Sequence, residues 1–206
     1  KVLFVEAREL PMFDLRLIFA AGSSQDPQAT PGLALMTNAM PNEGVKGKDV
    51  TAIAQGFEGL GADFGNGSYR DMAMVSLRSL SGQDKRDPAL KLFNEVIGKP
   101  TFPADSLARI KNQMLASFEY QKQNPGVIGS KALFEKLYGN HPYAHPSDGN
   151  PKSIGALTQA QLKAFHAKAY ASGNAVIALV GDLSRDEAQA IAAQVSASLP
   201  KGPALA

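Results

Sequence analysis

Two segments of the chain carry apolar residues at every second position, and this pattern constrains the fold more than any other feature. In the segment Met12–Gly22, the large apolar residues at alternate positions are Phe13, Leu15, Leu17 and Phe19. The segment Met72–Leu80 repeats the pattern less regularly, and one of its two faces is more apolar than the other. Alternation of this kind is typical of strands that bury one face. Both segments are therefore predicted to be strands of one sheet.

The order of the remaining patterns indicates the fold class. Further strands are predicted at Lys1–Ala7, Ala62–Asp71 and Asn174–Asp182. Helical patterns stand in groups between the strands, so the strict alternation of a doubly wound parallel sheet is absent. We therefore expect an α+β fold in which helices pack against a largely antiparallel sheet.

Capping residues and apolar spacing predict the helices. The first begins at Pro31, which suits a first helical turn. Asp87 is predicted to cap a helix whose first residue is Pro88, and Ser184 with Glu187 matches a capping box at the start of the last helix. The other predicted helices cover 48–61, 103–123, 124–139 and 158–172, and residues 140–151 are predicted to form a loop.

The composition excludes several classes of function. The chain has 206 residues, no cysteine and a formal net charge of +2. Without cysteine there is no disulfide, no thiolate metal site and no thiol catalysis. The small charge is not that of a nucleic-acid-binding protein. No apolar run approaches the roughly 18 residues of a membrane span. We expect neither a nucleic-acid partner nor a membrane span.

The histidines offer a weak metal signal. His141 and His145 stand in HPYAHP at the H-x-x-x-H spacing of helical zinc sites. Pro142 and Pro146 oppose a helix there, and no glutamate lies between the histidines. A structured loop is the favoured interpretation, and a metal-dependent hydrolase built on this segment is the alternative. His166 is predicted to lie at the surface or at its boundary.

Other catalytic motifs are missing. The segment GLGADFGNG lacks the Lys-Ser/Thr ending of a phosphate loop and leads into a strand. No G-x-S-x-G nucleophile elbow occurs. The acidic residues do not form an identifiable catalytic pair, so the residues alone do not assemble a reaction.

The chain resembles the insulinase/pitrilysin family of zinc metallopeptidases, which includes the mitochondrial processing peptidases. The resemblance is to the N-terminal half-subunit and spans nearly the whole chain. It rests on six segments in order: ELPMFDLRLIFAAGSSQDP, GLALMTNAM, EGVKGKDVTAIAQGFEGLGADFGNGSYRD, FNEVIGKPTFPADSLARIKNQ, HPYAHPSDG and NAVIALVGD. It implies an α+β half of this length, usually followed by a second half.

The resemblance also implies that the catalytic site is lost. Active members carry H-x-x-E-H, in which two histidines bind zinc and the glutamate is the general base. These positions fall on Leu35, Asn38 and Ala39. A further glutamate ligand falls on Leu115 or Ala116, with a one-residue ambiguity. Leucine and alanine have no lone pair and an asparagine amide is not basic, so no catalytic site and no metal site is expected here.

A peptide-binding role is a separate implication of the resemblance. Relatives bind extended peptides by adding them to an exposed sheet edge, which requires backbone groups rather than particular side chains. The matching edge in this chain is Gly65, Asn66, Gly67 and Ser68. The alternative is that this glycine-rich stretch is only a bulge or a turn.

These expectations define one functional hypothesis and two alternatives. Residues 1–199 form an inactive peptidase-family half-domain, and residues 200–206 form a linker toward a second half. The half-domain and an active homologous subunit together form a substrate chamber for an extended peptide. Only the active subunit of the pair binds zinc. The active members' Arg and Tyr, spaced R-x6-Y, are absent, as expected of a first half. The alternatives are a scaffold without peptide binding and the hydrolase named above. By analogy alone, the compartment is a bacterial periplasm.

Overall fold

A five-stranded sheet forms the centre of the computed structural model, which describes residues 1–205. The strands lie in the order β1, β7, β2, β6 and β5. Only β1 and β7 run parallel, and the other three pairings are antiparallel. This confirms the predicted fold class. The strands are β1 (Val2–Glu6), β2 (Met12–Phe19), β5 (Asp63–Ser68), β6 (Ala73–Leu80) and β7 (Ala175–Gly181).

The predicted alternation determines which face of the sheet is buried. Phe13, Leu15, Leu17 and Phe19 of β2 are all buried, as are the alternate residues of β6. The register places Leu15 between Leu77 of β6 and Leu179 of β7, so the apolar positions of neighbouring strands form continuous rows. This face carries the hydrophobic core.

Eight helices surround the core in the described part of the chain. They are α1 (Leu33–Asn38), α2 (Val50–Glu58), α3 (Gln83–Gly98), α4 (Ala104–Gln121), α5 (Pro125–Tyr138), α6 (Pro151–Ala156), α7 (Gln159–Ala169) and α8 (Arg185–Ser198). A two-stranded hairpin of β3 (Gly44–Val45) and β4 (Lys48–Asp49) precedes α2. Neither this hairpin nor α6 was predicted from the sequence.

The predicted start of α3 at Asp87 is wrong. The first helical residue is Gln83, five residues before the predicted Pro88, and Pro88 lies inside the helix. Pro88 has no amide to donate to the carbonyl four residues earlier, which belongs to the exposed Asp84 in the first turn. The Asp87 carboxylate accepts a hydrogen bond from the neighbouring Arg86 side chain at 3.0 Å instead of capping the helix.

Residues 200–205 run beside the loop that precedes β7. The amide of Ser172 donates to the carbonyl of Pro200 at 2.8 Å, and the amide of Gly173 donates to that of Gly202 at 3.1 Å. The amide of Leu205 donates to the side chain of Asn174 at 3.2 Å. The extent of the half-domain and the linker role of the last residues remain predictions.

Candidate functional site

Helix α1 contains the three positions to which the H-x-x-E-H motif was matched. Two backbone amides at its start donate hydrogen bonds to a buried carboxylate. Asp26 accepts hydrogen bonds from the amides of Gly32 and Ala34, both at 2.7 Å. Gly32 has φ +92°, a conformation that suits glycine. Burial raises the pKa of Asp26 to about 7, and the two amides only partly oppose this. Local patterns do not identify this capping role, because Asp26 lies six and eight residues before the amides that it accepts from.

Asn38, which the sequence comparison predicts to stand at the general-base position, is almost entirely buried. Its side-chain nitrogen donates to the hydroxyl of Tyr170 at 3.0 Å and to the carbonyl of Met74 at 3.3 Å. The side chain of Asn66 donates to the backbone carbonyl of Asn38 at 2.8 Å. The Asn38 amide therefore joins α1 to β6 and to the end of α7, and it is engaged in structure.

Two buried aromatic residues continue this network. The ring of His166 stacks on that of Tyr170, with centroids 4.9 Å apart, and its Nε2 lies 2.9 Å from the carbonyl oxygen of Ile97. Burial lowers the pKa of His166 to about 4 and raises that of Tyr170. The prediction that His166 lies at the surface or its boundary is wrong, because α7 packs this side of its surface into the core.

The other residues matched to zinc ligands are apolar, and all of them except Ala116 are partly buried. Leu35 and Ala39 are half-buried on α1, and Ala39 packs against the core. On α4, Leu115 packs against the core whereas Ala116 is exposed. Of the two candidates for the fourth position, Leu115 is therefore the one that faces the interior.

These residues do not fit a zinc ion. Leu35, Ala39 and Leu115 offer no lone pair, and the only polar side chain, Asn38, already donates to Tyr170 and Met74. Among residues 1–205, no group of three His, Asp or Glu side chains is arranged to hold a metal. A catalytic step through a metal at this position cannot be derived from these residues.

The segment with His141 and His145 is not an α-helix. Pro142–Ala144 form a short 3-10 turn, and the Nδ1 atom of His141 accepts a hydrogen bond from the amide of Tyr143 at 3.2 Å. The Nδ1 atom of His145 lies 3.2 Å from the carbonyl oxygen of Pro146. The H-x-x-x-H spacing therefore does not place the two rings on one helix face.

The predicted peptide-binding residues lie on the edge strand β5. Gly65, Asn66, Gly67 and Ser68 pair with β6 in an unbroken antiparallel register, so the alternative of a bulge or turn is wrong. The amide of Tyr69 donates to the carbonyl of Met72, which marks a hydrogen-bonded pair. Because such pairs alternate with non-bonded ones, the amides of Phe64, Asn66 and Ser68 point toward the free edge.

A largely antiparallel sheet with a free edge and with helices packed on one face defines a class of fold, that of a peptidase-like half-subunit. Residues 1–149 match the family model described as insulinase (peptidase family M16), and residues 156–205 match the model described as peptidase M16 inactive domain. The chain belongs to the insulinase family, peptidase family M16.

Three known proteins illustrate the similarity. A crystal structure of a peptidase M16 inactive domain from Pseudomonas fluorescens is 80% identical, has a TM-score of 0.98 and matches 100% of this chain and 50% of that one. The first half of the periplasmic protease PqqL from Escherichia coli has the same fold, at 20% identity and a TM-score of 0.84, over 100% of this chain and 45% of that one. A Helicobacter pylori relative named non-peptidase homolog YmxG is 27% identical over 90% of this chain and 43% of its own length. The chain thus spans about half the length of these relatives.

Proposed function

We propose that the chain is a catalytically inactive M16-family domain, the non-catalytic member of a two-subunit peptidase. It helps to form the substrate chamber, and an active homologue supplies the zinc and the general base. The observation that carries this proposal is the intact family scaffold around Leu35, Asn38, Ala39 and Leu115, which offer zinc no imidazole or carboxylate ligand and offer water no basic group. The names of two similar proteins, an inactive domain and a non-peptidase homolog, support it.

Metal analysis and a peptidase assay test the loss of catalysis. The purified chain is mixed with zinc, dialysed, and assayed for bound metal and for cleavage of a mixture of peptides. The expected result is no stoichiometric zinc and no turnover that a chelator abolishes. Stoichiometric zinc together with chelator-sensitive cleavage would overturn the proposal.

Peptide binding at the free edge of β5 is the second part of the proposal. A peptide added there receives hydrogen bonds from the amides of Phe64, Asn66 and Ser68. Ser68→Pro removes one outward amide without breaking the ladder to β6, because proline is tolerated where the amide faces solvent. Ser68→Ala is the matched control, since it keeps the amide.

The loss of one such hydrogen bond costs about 1 kcal/mol, or roughly fivefold in affinity. Ser68→Pro should therefore weaken the binding of an extended peptide at least fivefold in a fluorescence anisotropy titration, and Ser68→Ala should leave it unchanged. If Ser68→Pro and Ser68→Ala bind the peptide with equal affinity, the peptide does not bind at the free edge of β5.

A scaffold without peptide binding is the second candidate function. Helix α5 has no buried residue, and it exposes Ile128, Leu133 and Leu137, each more than half accessible. Exposed apolar side chains on one helix favour contact with another protein. A peptide titration separates the two functions, because a scaffold of this kind binds no extended peptide.

Periplasmic location and a zinc-bearing homologous partner complete the proposal. Support comes from the shared fold with PqqL, which is described as a periplasmic protease. No helix within residues 1–205 has the length and apolar character needed to cross a membrane. Purification of the tagged chain from its natural host tests both points, and the expected co-purifying protein is a homologue with H-x-x-E-H.

A further inference from the structure

The sheet has an open face opposite the core. We define the open face by the residues of all five strands that alternate with the core positions, and every one of them is at least partly exposed. Its apolar end lies at β1 and β7, where Leu3, Val5 and Val180 are each more than 40% accessible. Its other end is the free edge of β5, so a peptide added to that edge would project alternate side chains over the open face.

Most of the charge on the open face is neutralised within it. Arg78 donates to both carboxylate oxygens of Asp14, at 2.8 and 3.0 Å. Asp63 stands opposite Arg78 on β5 and adds to the same cluster. Arg16 is different, because it is exposed and makes no hydrogen bond or ion pair with any residue of 1–205.

Small residues separate Arg16 from the free edge. In the sheet register, Arg16 lies opposite Ser76 of β6, and Ser76 lies opposite Gly65 of β5. A methyl group on Gly65 would come within 2.7 Å of the Ser76 hydroxyl, which shows that both positions face the same side. The next glycine along the edge, Gly67, is covered by the ring of Tyr69. Only the small Ser76 hydroxyl lies over Gly65, whereas a whole aromatic ring lies over Gly67, so the row of Gly65, Ser76 and Arg16 leaves more space for a side chain from a bound peptide.

We propose that Arg16 selects extended peptides with a glutamate at the position facing Gly65. This inference rests on the proposed peptide binding at β5. A peptide added to β5 would lie three strand spacings, about 14 Å, from β2. An arginine and a glutamate can meet across this span because Gly65 and Ser76 do not fill it. An aspartate is one methylene shorter and falls short of Arg16, and it also remains nearer to Asp63.

Matched peptides test the selection. A proline-free peptide rich in valine and threonine is labelled with fluorescein and prepared with Glu, Asp or Gln at its central position. The Glu peptide should bind roughly two- to fivefold more tightly than the other two, as expected for an exposed ion pair. This preference should shrink as the salt concentration rises from about 0.1 M to about 1 M.

Three variants assign the effect to Arg16. Arg16→Gln should abolish the preference for the Glu peptide, and Arg16→Lys should restore part of it. Lys163→Gln removes an exposed cation from α7 and serves as the charge-matched control, for which the preference should persist. Equal binding of the three peptides, with all of them weakened by Ser68→Pro, would overturn the selection and leave the peptide-binding proposal standing. Binding of none of them would overturn both.

Discussion

Asn38 is predicted to stand at the general-base position, and its amide makes two hydrogen bonds inside the fold. Replacing it with leucine leaves the hydroxyl of Tyr170 buried without a partner. We expect Asn38→Leu to lower the free energy of unfolding by about 2–3 kcal/mol, since an unsatisfied buried polar group costs more than an average hydrogen bond contributes. Urea unfolding measures the change.

A double-mutant cycle provides the control for this prediction. Tyr170→Phe removes the hydroxyl itself, so the double variant no longer contains an orphaned hydroxyl group. The double variant should be destabilised by less than the sum of the two single changes. Strictly additive effects would show that the bond between Asn38 and Tyr170 contributes little.

Asp26 and His166 give opposite dependences of stability on pH. Burial raises the pKa of Asp26 from 3.8 to about 7. The contribution of this shift to the free energy of unfolding is therefore complete below pH 3.8 and is lost as the pH rises to 7. Burial lowers the pKa of His166 from 6.5 to about 4, so its contribution is present above pH 6.5 and is lost as the pH falls to 4. Between pH 4 and 6.5, Asp26 makes the free energy of unfolding fall with rising pH, and His166 makes it rise.

Replacing either Asp26 or His166 should reveal the pH dependence of stability that the other residue causes. We expect Asp26→Asn, compared with the unaltered chain, to lose stability on acidification from pH 6.5 to 4 by up to about 1.4 kcal/mol per pH unit. His166→Gln should differ from the unaltered chain in the opposite direction. Denaturant unfolding across this pH range measures both differences, and parallel curves for all three proteins would contradict the assigned shifts.

At the level of the elements, the sequence predicted the strands and helix starts that follow from apolar periodicity and from nearby capping residues. The strands β2, β6 and β7 and the capping box of α8 depend on residues close together in the chain. The start of α3 and the burial of His166 depend on distant partners. Arg86 of α3 binds Glu187 of α8, and His166 meets Ile97 at the end of α3. Such contacts leave no periodic signal, so local patterns could not predict them.

The predicted ligand positions on α1 and α4 can be tested by introducing the ligands of active relatives. The variant Leu35→His, Asn38→Glu, Ala39→His and Leu115→Glu supplies two imidazoles and a carboxylate as ligands and a second carboxylate as base. We expect it to bind one zinc ion in equilibrium dialysis. A variant with Ala116→Glu in place of Leu115→Glu should bind roughly tenfold or more weakly, because Ala116 is exposed. Equal affinities would contradict the assignment of Leu115, and circular dichroism shows whether each variant remains folded.

At the level of the whole molecule, the sheet separates two kinds of surface. One face carries the hydrophobic core and the helices, and the linked side chains of Asn38, Tyr170 and His166 are buried there. The open face and the free edge of β5 retain their exposed backbone and side-chain groups. The proposed chamber wall requires only these groups, because a peptide added to the edge binds backbone amides rather than a metal.

The chamber-wall proposal predicts assembly with an active homologue. Mixed with a homologous chain that carries H-x-x-E-H, this chain should form a one-to-one complex in light scattering coupled to size-exclusion chromatography. It should raise the kcat/KM of the active chain for an extended peptide about tenfold, which corresponds to about 1.4 kcal/mol of added peptide binding. Ser68→Pro should leave the complex intact and remove most of this gain, because it alters the peptide edge alone. A complex with no gain in kcat/KM would instead support the scaffold function.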